Sequence, residues 1–426
     1  MGICVAMVSD FYLPSVGGIE MHIYHLSLAL MRRGVRVVVV THEYGDHRGL
    51  ETTVDGLRIY YLPIPMLPTT NASLPTFFTA HHLLRGVFIR ENVDIVHAHG
   101  ALSSLGHEAL MHARWIPNTR TIFTDHSLFA FRDVTGILTN KLLRFALCDV
   151  DGVICVSHSG KENTQLRARL EEEVMHVIPN AIISSDFLPR LHTQKKDKKI
   201  TIVTISRLFY RKGIDLLIAA APIICAQHPA VHFIVGGDGP LMTDLERMTE
   251  RHGLQERVEI LGNVPPQSVS QVMQRGDIYL NTSLTESFGI VLLEAASTGL
   301  HVVSTKVGGI PEVLPEGMVE YCEEVSDVAV VNAIERTIEA VASLTPSQED
   351  ARKLHNHDAV RRLYSWDKVA EMTHAVYTDS LAKPRPQGVY HRLSKAVKTG
   401  CIGGVIYAIV VLVDAMIAVV LGMLGC

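Results

Sequence analysis

Two carboxylates bracket the start of a predicted helix in the segment Thr285-Glu286-Ser287-Phe288-Gly289-Ile290-Val291-Leu292-Leu293-Glu294-Ala295. The segment follows an apolar strand ending near Asn281, and the pattern predicts a helix starting near Gly289. The free amides of Phe288, Gly289, Ile290 and Val291 would then face an anion such as a phosphate. Glu286 precedes the helix, and Glu294 sits inside the apolar run Ile290–Ala296, where a carboxylate is costly without a partner. Ribose hydroxyls would serve as that partner, and so would backbone donors. In Ser206-Arg207-Leu208-Phe209-Tyr210-Arg211-Lys212-Gly213, Arg207 offers a planar fork and Lys212 a compact point charge. Together they can converge on a diphosphate; the same pair also suits an ordinary surface near a helix start. Gly236-Gly237-Asp238-Gly239-Pro240 ends another strand, with Gly237 placed for a tight turn under a base or ribose, or simply for a turn. Near the N-terminus, Gly17 and Gly18 precede a helix, where backbone can approach a ligand closely. His126, in Thr124-Asp125-His126-Ser127-Leu128-Phe129, ends a strand and can donate to or accept from a ligand. Among 22 histidines a lone one is as readily structural. His97 and His99 share that ambiguity, and no further ligand pattern accompanies them, so no metal is expected.

These residues need strands to place them at one edge. Short β-branched runs at Ile3–Met7, Val35–Thr41, Asp94–Val96, Thr121–Thr124, Val153–Val156 and Val174–Ile178 alternate with helical patterns such as Glu20–Arg33. After the lysine-rich stretch Gln194-Lys195-Lys196-Asp197-Lys198-Lys199 the alternation restarts, with strands at 200–205, 231–235, 258–261, 278–281 and 301–305. Near-continuous apolar strands between helices predict parallel sheets covered on both faces. The fold class is therefore α/β, two doubly wound Rossmann-like domains, with ligands expected at the carboxyl ends of the strands around a shared cleft.

The formal charge of -5 argues against nucleic acid as the main partner. Seven cysteines without a C-x-x-C pair read as reduced thiols. Met1–Val8 lacks a basic n-region and reads as a strand rather than a signal peptide. From Ile402 to Leu424 only Asp414 is charged. About 20 such residues cross a hydrocarbon core of roughly 30 Å, which predicts a transmembrane helix. Lys383, Arg385, Arg392, Lys395 and Lys398 precede it, which keeps the large N-terminal part in the cytosol. The sequons at Asn71 and Asn281 would then stay unmodified. A carboxylate in mid-membrane usually faces another helix, so Asp414, with the Gly400/Gly404 spacing, predicts packing against other membrane subunits.

Taken together, the E-x-F-G-x-x-x-x-E pattern from Glu286 to Glu294, the Gly-Gly loop, the strand-end histidine and the Arg/Lys segment resemble glycosyltransferase family 4, whose enzymes have the GT-B fold. Longer stretches, among them M-V-S-D-F-Y, T-D-H-S-L-F, Y-R-K-G-I-D-L-L and V-G-G-I-P-E-V-L-P, resemble the branch of that family that makes N-acetylglucosaminyl-phosphatidylinositol; the likeness spans roughly Ile3 to Tyr377. The resemblance implies retaining transfer of N-acetylglucosamine from UDP-N-acetylglucosamine to phosphatidylinositol, the first step of GPI-anchor synthesis, without metal or other cofactor. It implies other membrane subunits of a GPI-N-acetylglucosaminyltransferase complex as partners, and a single-pass protein of the endoplasmic reticulum membrane. Residue by residue, it implies that Arg207 and Lys212 hold the diphosphate with the amides around Phe288–Val291. Glu294 would bind ribose, Glu286 a donor-sugar hydroxyl and His126 the donor sugar, while Gly17 and Gly18 would border phosphates and acceptor. The expected organisation is an acceptor-side domain over 1–190, a linker over 191–199 and a nucleotide-sugar domain over 200–364. A helix over 365–382 would return to the first domain, followed by a basic segment over 383–399 and the membrane helix over 400–426. The E-S-F-G form leaves a related enzyme with another lipid acceptor as the alternative, or a nucleotide-sugar epimerase or hydrolase on the same fold.

Overall fold

The computed structural model describes residues 2–66, 73–74, 78–128, 134–191, 199–384 and 388–424, with backbone alone for 134–138. Asn71, Phe129, Arg385, Cys426 and most of the expected linker lie outside the described residues. The chain forms two units, Met1–Asn180 with Trp366–Cys426, and Ala181–Ser365.

In the first unit, strands β1 (Cys4–Val8), β2 (Arg36–His42), β3 (Gly49–Thr52), β4 (Arg58–Leu62), β5 (Ile95–His99), β6 (Arg120–Asp125), β7 (Gly152–Cys155) and β8 (Met175–Val177) form one sheet. Its order is β3-β4-β2-β1-β5-β6-β7-β8. All pairings are parallel except β3 with β4. Every residue of β1 and β5 is buried, as a sheet sandwiched between helices requires. The helices between strands are α1 (Gly18–Arg32), α2 (His81–Arg90), α3 (Ser104–Ala113), α4 (Val134–Leu147) and α5 (His158–Ala168). Ile23, Leu26 and Leu30 form the buried stripe of α1, and Gly34, at φ +83°, lets the chain leave it. The strand order reverses between β1 and β5, so the loops after β1, β5 and β6 open side by side.

The second unit holds β9 (Ile200–Ile205), β10 (Val231–Gly236), β11 (Val258–Gly262), β12 (Ile278–Asn281), β13 (His301–Ser304) and β14 (Val319–Tyr321) in the order β11-β10-β9-β12-β13-β14. Helices α6 (Ile214–Gln227), α7 (Met242–Arg251), α8 (Pro266–Met273), α9 (Ile290–Thr298), α10 (Asp327–Ser343) and α11 (Pro346–Leu363) cover it. Here the reversal lies between β9 and β12. Residues 181–190, read from sequence with the first domain, group with this unit instead. The chain is fastened there by backbone oxygens: Phe187 accepts from Ser297 Oγ (3.0 Å) and Leu188 from Gln274 Nε2 (3.0 Å).

Helices α12 (Trp366–Ala382), α13 (Val389–Val397) and α14 (Cys401–Met423) belong to the first unit. Helix α14 is long and apolar enough to cross a membrane. Three residues of this region are placed otherwise than expected. Asp414 does not present its carboxylate to a foreign helix. It is wholly buried in its own chain, accepting from His112 Nδ1 (2.7 Å) and Trp115 Nε1 (2.5 Å), with His81 Nδ1 at 3.0 Å. Arg392, read as a juxtamembrane charge, is also buried, over the Trp115 ring (4.1 Å) and donating to the Met111 carbonyl (3.2 Å). Gly404, expected in a helix–helix seam, lies instead at the α13–α14 elbow, where an added Cβ would come 2.4 Å from the Val397 carbonyl oxygen.

Candidate active site

The second unit gathers its predicted residues by threading three strand-end loops through one another. The turn after β9 carries Arg207 to Lys212 and closes on Gly213 at φ +63°. A Cβ on Gly213 would lie 1.9 Å from the Thr282 carbonyl oxygen, so only glycine lets this turn cross the loop after β12. The crossing is bonded from both sides: Thr282 Oγ1 donates to the Lys212 carbonyl (2.9 Å) and Leu284 N to the Arg211 carbonyl (2.9 Å). As a result Lys212 meets Glu286 in an ion pair, both side chains only partly exposed. Gly237, at φ +134°, would place a Cβ 1.8 Å from the Ser206 carbonyl oxygen, so the turn after β10 also closes on the β9 turn. Arg207 stays exposed, 5.8 Å from the Phe209 ring centre.

Gly289, at φ +90°, caps α9, which begins at Ile290 as the sequence predicted. No described side chain caps that end; Leu292 N donates to the Gly289 carbonyl (2.9 Å), and the amides of Ile290 and Val291 are left without an intrahelical acceptor. Phe288 is buried and meets the Tyr364 ring edge-on at 6.0 Å. Glu294, on α9, has no group among the described residues bonded to its carboxyl, and burial pushes its pKa up to about 7. Sequence reasoning did not find what holds the Glu286 loop in place. Gly309 N donates to the Glu286 carbonyl (3.0 Å), and Asn281, Ser283, Ser304 and Thr305 form a buried chain of hydrogen bonds beneath it. The small polar residues following a strand were the only signal for them.

In the first unit the loop after β1 is pinned by Asp10. Its carboxylate accepts from Ser73 N (2.8 Å), Ser103 Oγ (2.9 Å) and Leu105 N (3.0 Å), so it is a structural acid. Gly17 has extended backbone, and the Glu20 carboxylate folds back over it; an added Cβ would meet Glu20 Oε2 at 2.5 Å. Gly18 faces open space. His126 is brought together with two histidines that sequence spacing did not connect to it. His99 Nδ1 lies 3.3 Å from His126 Nε2, and the His22 ring meets the His126 ring edge-on at 4.6 Å. His22 is oriented by Asn180 (2.9 Å) and His99 by the Met7 sulfur (3.4 Å). Burial holds His22 down at about 4, and His99 and His126 well below their ordinary value, so all three are neutral near pH 7. Their nitrogens lie within 4.8 Å of one another. His97 is set apart, bonded to Tyr377 (2.6 Å) and Thr124 (2.6 Å), where it ties α12 to the sheet.

Two open sheets, a strand-end Lys–Glu pair, a helix start without a side-chain cap and a helix acid with no bonded partner among the described residues have the form of a nucleotide-sugar enzyme. Residues 16–185 match the family described as Glycosyltransferase Family 4, and residues 190–355 match Glycosyl transferases group 1. The gpi3 subunit of phosphatidylinositol N-acetylglucosaminyltransferase from Schizosaccharomyces pombe is 46% identical over 97% of this chain and 89% of its own length. The chain belongs to that family. A human subunit of the same enzyme is 46% identical over 88% of this chain and 75% of its own length. Among solved structures, sucrose-phosphate synthase from Thermosynechococcus elongatus superposes with a TM-score of 0.70 at 20% identity, over 89% of this chain and 99% of that one. This last likeness concerns the fold alone and identifies it as GT-B. As a member of the family the chain is a glycosyltransferase.

Proposed function

We propose that this chain transfers N-acetylglucosamine from UDP-N-acetylglucosamine to phosphatidylinositol, the first step of GPI-anchor synthesis. It would work with other subunits at the cytosolic face of the endoplasmic reticulum membrane. The observation that carries the reading is the interlocked loop pair that holds Lys212 against Glu286 beside the uncapped start of α9, in a chain 46% identical to a subunit named for this transfer.

In this reading Lys212 and Arg207 bind the diphosphate. The lysine ammonium has three donors, so it keeps Glu286 while turning another to a phosphate oxygen. Amides of Phe288, Gly289, Ile290 and Val291 add donors aimed at the same charge, and this stabilisation grows as the phosphate departs. Glu294 accepts from ribose hydroxyls, Glu286 from a hydroxyl of the donor sugar, and Gly237 closes the turn beneath the nucleotide. Neutral His126 contacts the donor sugar, and Gly17 and Gly18 border the phosphates and the acceptor. The bond from the anomeric carbon to the phosphate oxygen breaks, and the inositol oxygen bonds that carbon on the same face. The inositol proton passes to the departing phosphate oxygen, so the configuration is retained without a covalent enzyme intermediate.

Membranes carrying the chain, supplied with labelled UDP-N-acetylglucosamine and phosphatidylinositol, test this reading. Lys212→Ala and Glu294→Ala should each cut labelled glycolipid strongly. Undiminished glycolipid in both variants would refute the site, and labelled free sugar without any lipid requirement would refute transfer.

A further inference from the structure

His22, His99 and His126 form a group of which the proposed transfer uses one member, His126. They come from α1, from β5 and from the loop after β6, so no spacing in the sequence joins them. Each ring offers one nitrogen such that all three lie within 4.8 Å of one another. His22 and His99 are buried and His126 is partly exposed, which gives the group a closed back and one side open at the carboxyl edge of the sheet. Hydrogen bonding decides which nitrogens keep a lone pair. An amide oxygen only accepts, so His22 Nδ1 donates to Asn180 Oδ1 (2.9 Å) and Nε2 keeps its lone pair. The Met7 sulfur, a weak acceptor, lies 3.4 Å from His99 Nε2 and takes its hydrogen, which leaves the lone pair on Nδ1. His126 Nε2 donates to that Nδ1 (3.3 Å). Moving this one hydrogen to His126 Nδ1 yields three neutral imidazoles with three lone pairs and no change in net charge.

The 3.3 Å separation also fits one geometry better than another. Two nitrogens each about 2.0–2.1 Å from a single ion lie about 3.3–3.4 Å apart at the tetrahedral angle, and about 2.9 Å apart at a right angle. His99 and His126 already stand at the tetrahedral spacing, and His22 has to close from at most 4.8 Å. Asn180 and Met7 fix the two buried rings from behind, as the outer partners of ligating imidazoles do. Among the described residues no lysine or arginine bears on the protonation of the three rings, so no fixed cation opposes a dication there. The group of His81, His112 and Asp414 differs on this point. Its carboxylate already accepts from Trp115 Nε1 and has the Arg392 guanidinium at 3.9 Å, a charge that repels a metal ion.

We propose that His22, His99 and His126 form a tetrahedral site for a transition-metal dication of the zinc class, with its fourth position open at the strand ends. Three neutral imidazoles suit zinc or cobalt(II), whereas magnesium and calcium take oxygen ligands. The ion occupies His126 Nε2 and so withdraws that ring from the donor sugar, which makes the metal an inhibitor of transfer rather than a cofactor. This consequence rests on the proposed reaction; the binding of the ion does not.

The test titrates the full chain in detergent, freed of metal by a chelator, with cobalt(II). The expected result is the visible absorption of tetrahedral cobalt, saturating at one equivalent, displaced by zinc and untouched by magnesium. His22→Gln and His99→Gln should each weaken cobalt binding at least about tenfold, with thermal unfolding of the metal-free chain unchanged. The same midpoint in both variants as in the natural chain overturns the proposal, since the ion then sits on other residues. X-ray absorption of the zinc-loaded natural chain decides the matter without a variant. Nitrogen and oxygen neighbours at about 2.0–2.1 Å are expected, and a sulfur at about 2.3 Å overturns the site. In membranes, zinc should raise the KM for UDP-N-acetylglucosamine, and His22→Gln should need at least about ten times more zinc for the same rise; equal sensitivity overturns the inhibition. The cobalt spectrum does not read glycolipid. A chain that shows the spectrum without transferring sugar refutes the transfer reading alone, and one that transfers sugar without the spectrum refutes the metal site alone.

Discussion

Glu294 and Asp414 are both carboxylates set among apolar neighbours, and the protein treats them in opposite ways. Asp414 is given an imidazole and an indole N–H, with a second imidazole at 3.0 Å and the Arg392 guanidinium at 3.9 Å. Glu294 is given no partner among the described residues, and its pKa rises to about 7. A buried acid with all its partners in the same chain is part of the structure, whereas one left waiting is part of a binding site. The backbone follows the same division. The loops around Glu294 are interlocked through glycines that leave no room for a Cβ, so they hold their shape without a ligand. The Asp414 region is instead held by side chains.

The comparison breaks first at Asp414. Replacing it by leucine leaves Arg392 buried with Asp149, 3.5 Å away, as its remaining acid, and strips hydrogen bonds from His112 and Trp115. Removing one partner from a buried charged cluster should cost about 3 kcal/mol. Chemical unfolding of the chain in detergent should show this loss in the first unit while UDP affinity, which the proposed site assigns mainly to residues of the second, holds. Equal stability would mean that the cluster fastens nothing. A smaller effect, in the opposite unit, is expected from Gly237→Ala. The added methyl would require the β10 turn to withdraw from Ser206, at about 2 kcal/mol for the overpacking and the positive φ together. Here UDP affinity should fall with stability, and isothermal titration beside thermal unfolding separates this outcome from that at Asp414.

How much of this was legible follows from what each contact depends on. The strands flanking both reversal points were visible because Cys4–Val8 or Ile200–Ile205 are apolar on both faces, a pattern that survives without knowledge of neighbours. Strands β3, β4 and β14 escaped: G-L-E-T has one apolar side chain and V-E-Y alternates over three positions only, while R-I-Y-Y-L, although mostly buried, follows β3 directly and so falls outside the strand–helix alternation. Glu286 and Glu294 were legible from their place beside a helix start. His22 was not, and His99 was noticed only as a histidine of undecided role, because both reach His126, from α1 and β5, only once β1 lies beside β5 and β5 beside β6. Asp414 was conspicuous as the one charge in an apolar run, but its partners stand about three hundred residues earlier in the chain, on α2 and α3. Hydropathy therefore supplied the length of α14 and nothing about its partners.

The smallest predicted effect is also the sharpest test of the contrast, because it uses protons rather than a truncation. Without UDP, burial lets Glu294 hold its proton up to about pH 7, above the ordinary carboxyl value of 4.5. The sign for stability follows: its contribution is fully present below pH 4.5 and is lost as pH rises through 7. Ribose hydroxyls that donate to the carboxylate favour the charged form, so UDP binding should expel a proton near neutrality. UDP affinity should then fall about tenfold between pH 8 and pH 6, which is about 1.4 kcal/mol, and flatten above pH 8. Glu294→Gln cannot titrate and should bind more weakly but with a flat profile over that range. Calorimetry in two buffers of different ionisation enthalpy counts the proton directly. A wild-type profile as flat as that of the glutamine variant would show that Glu294 has a partner of its own, and would remove the distinction from Asp414.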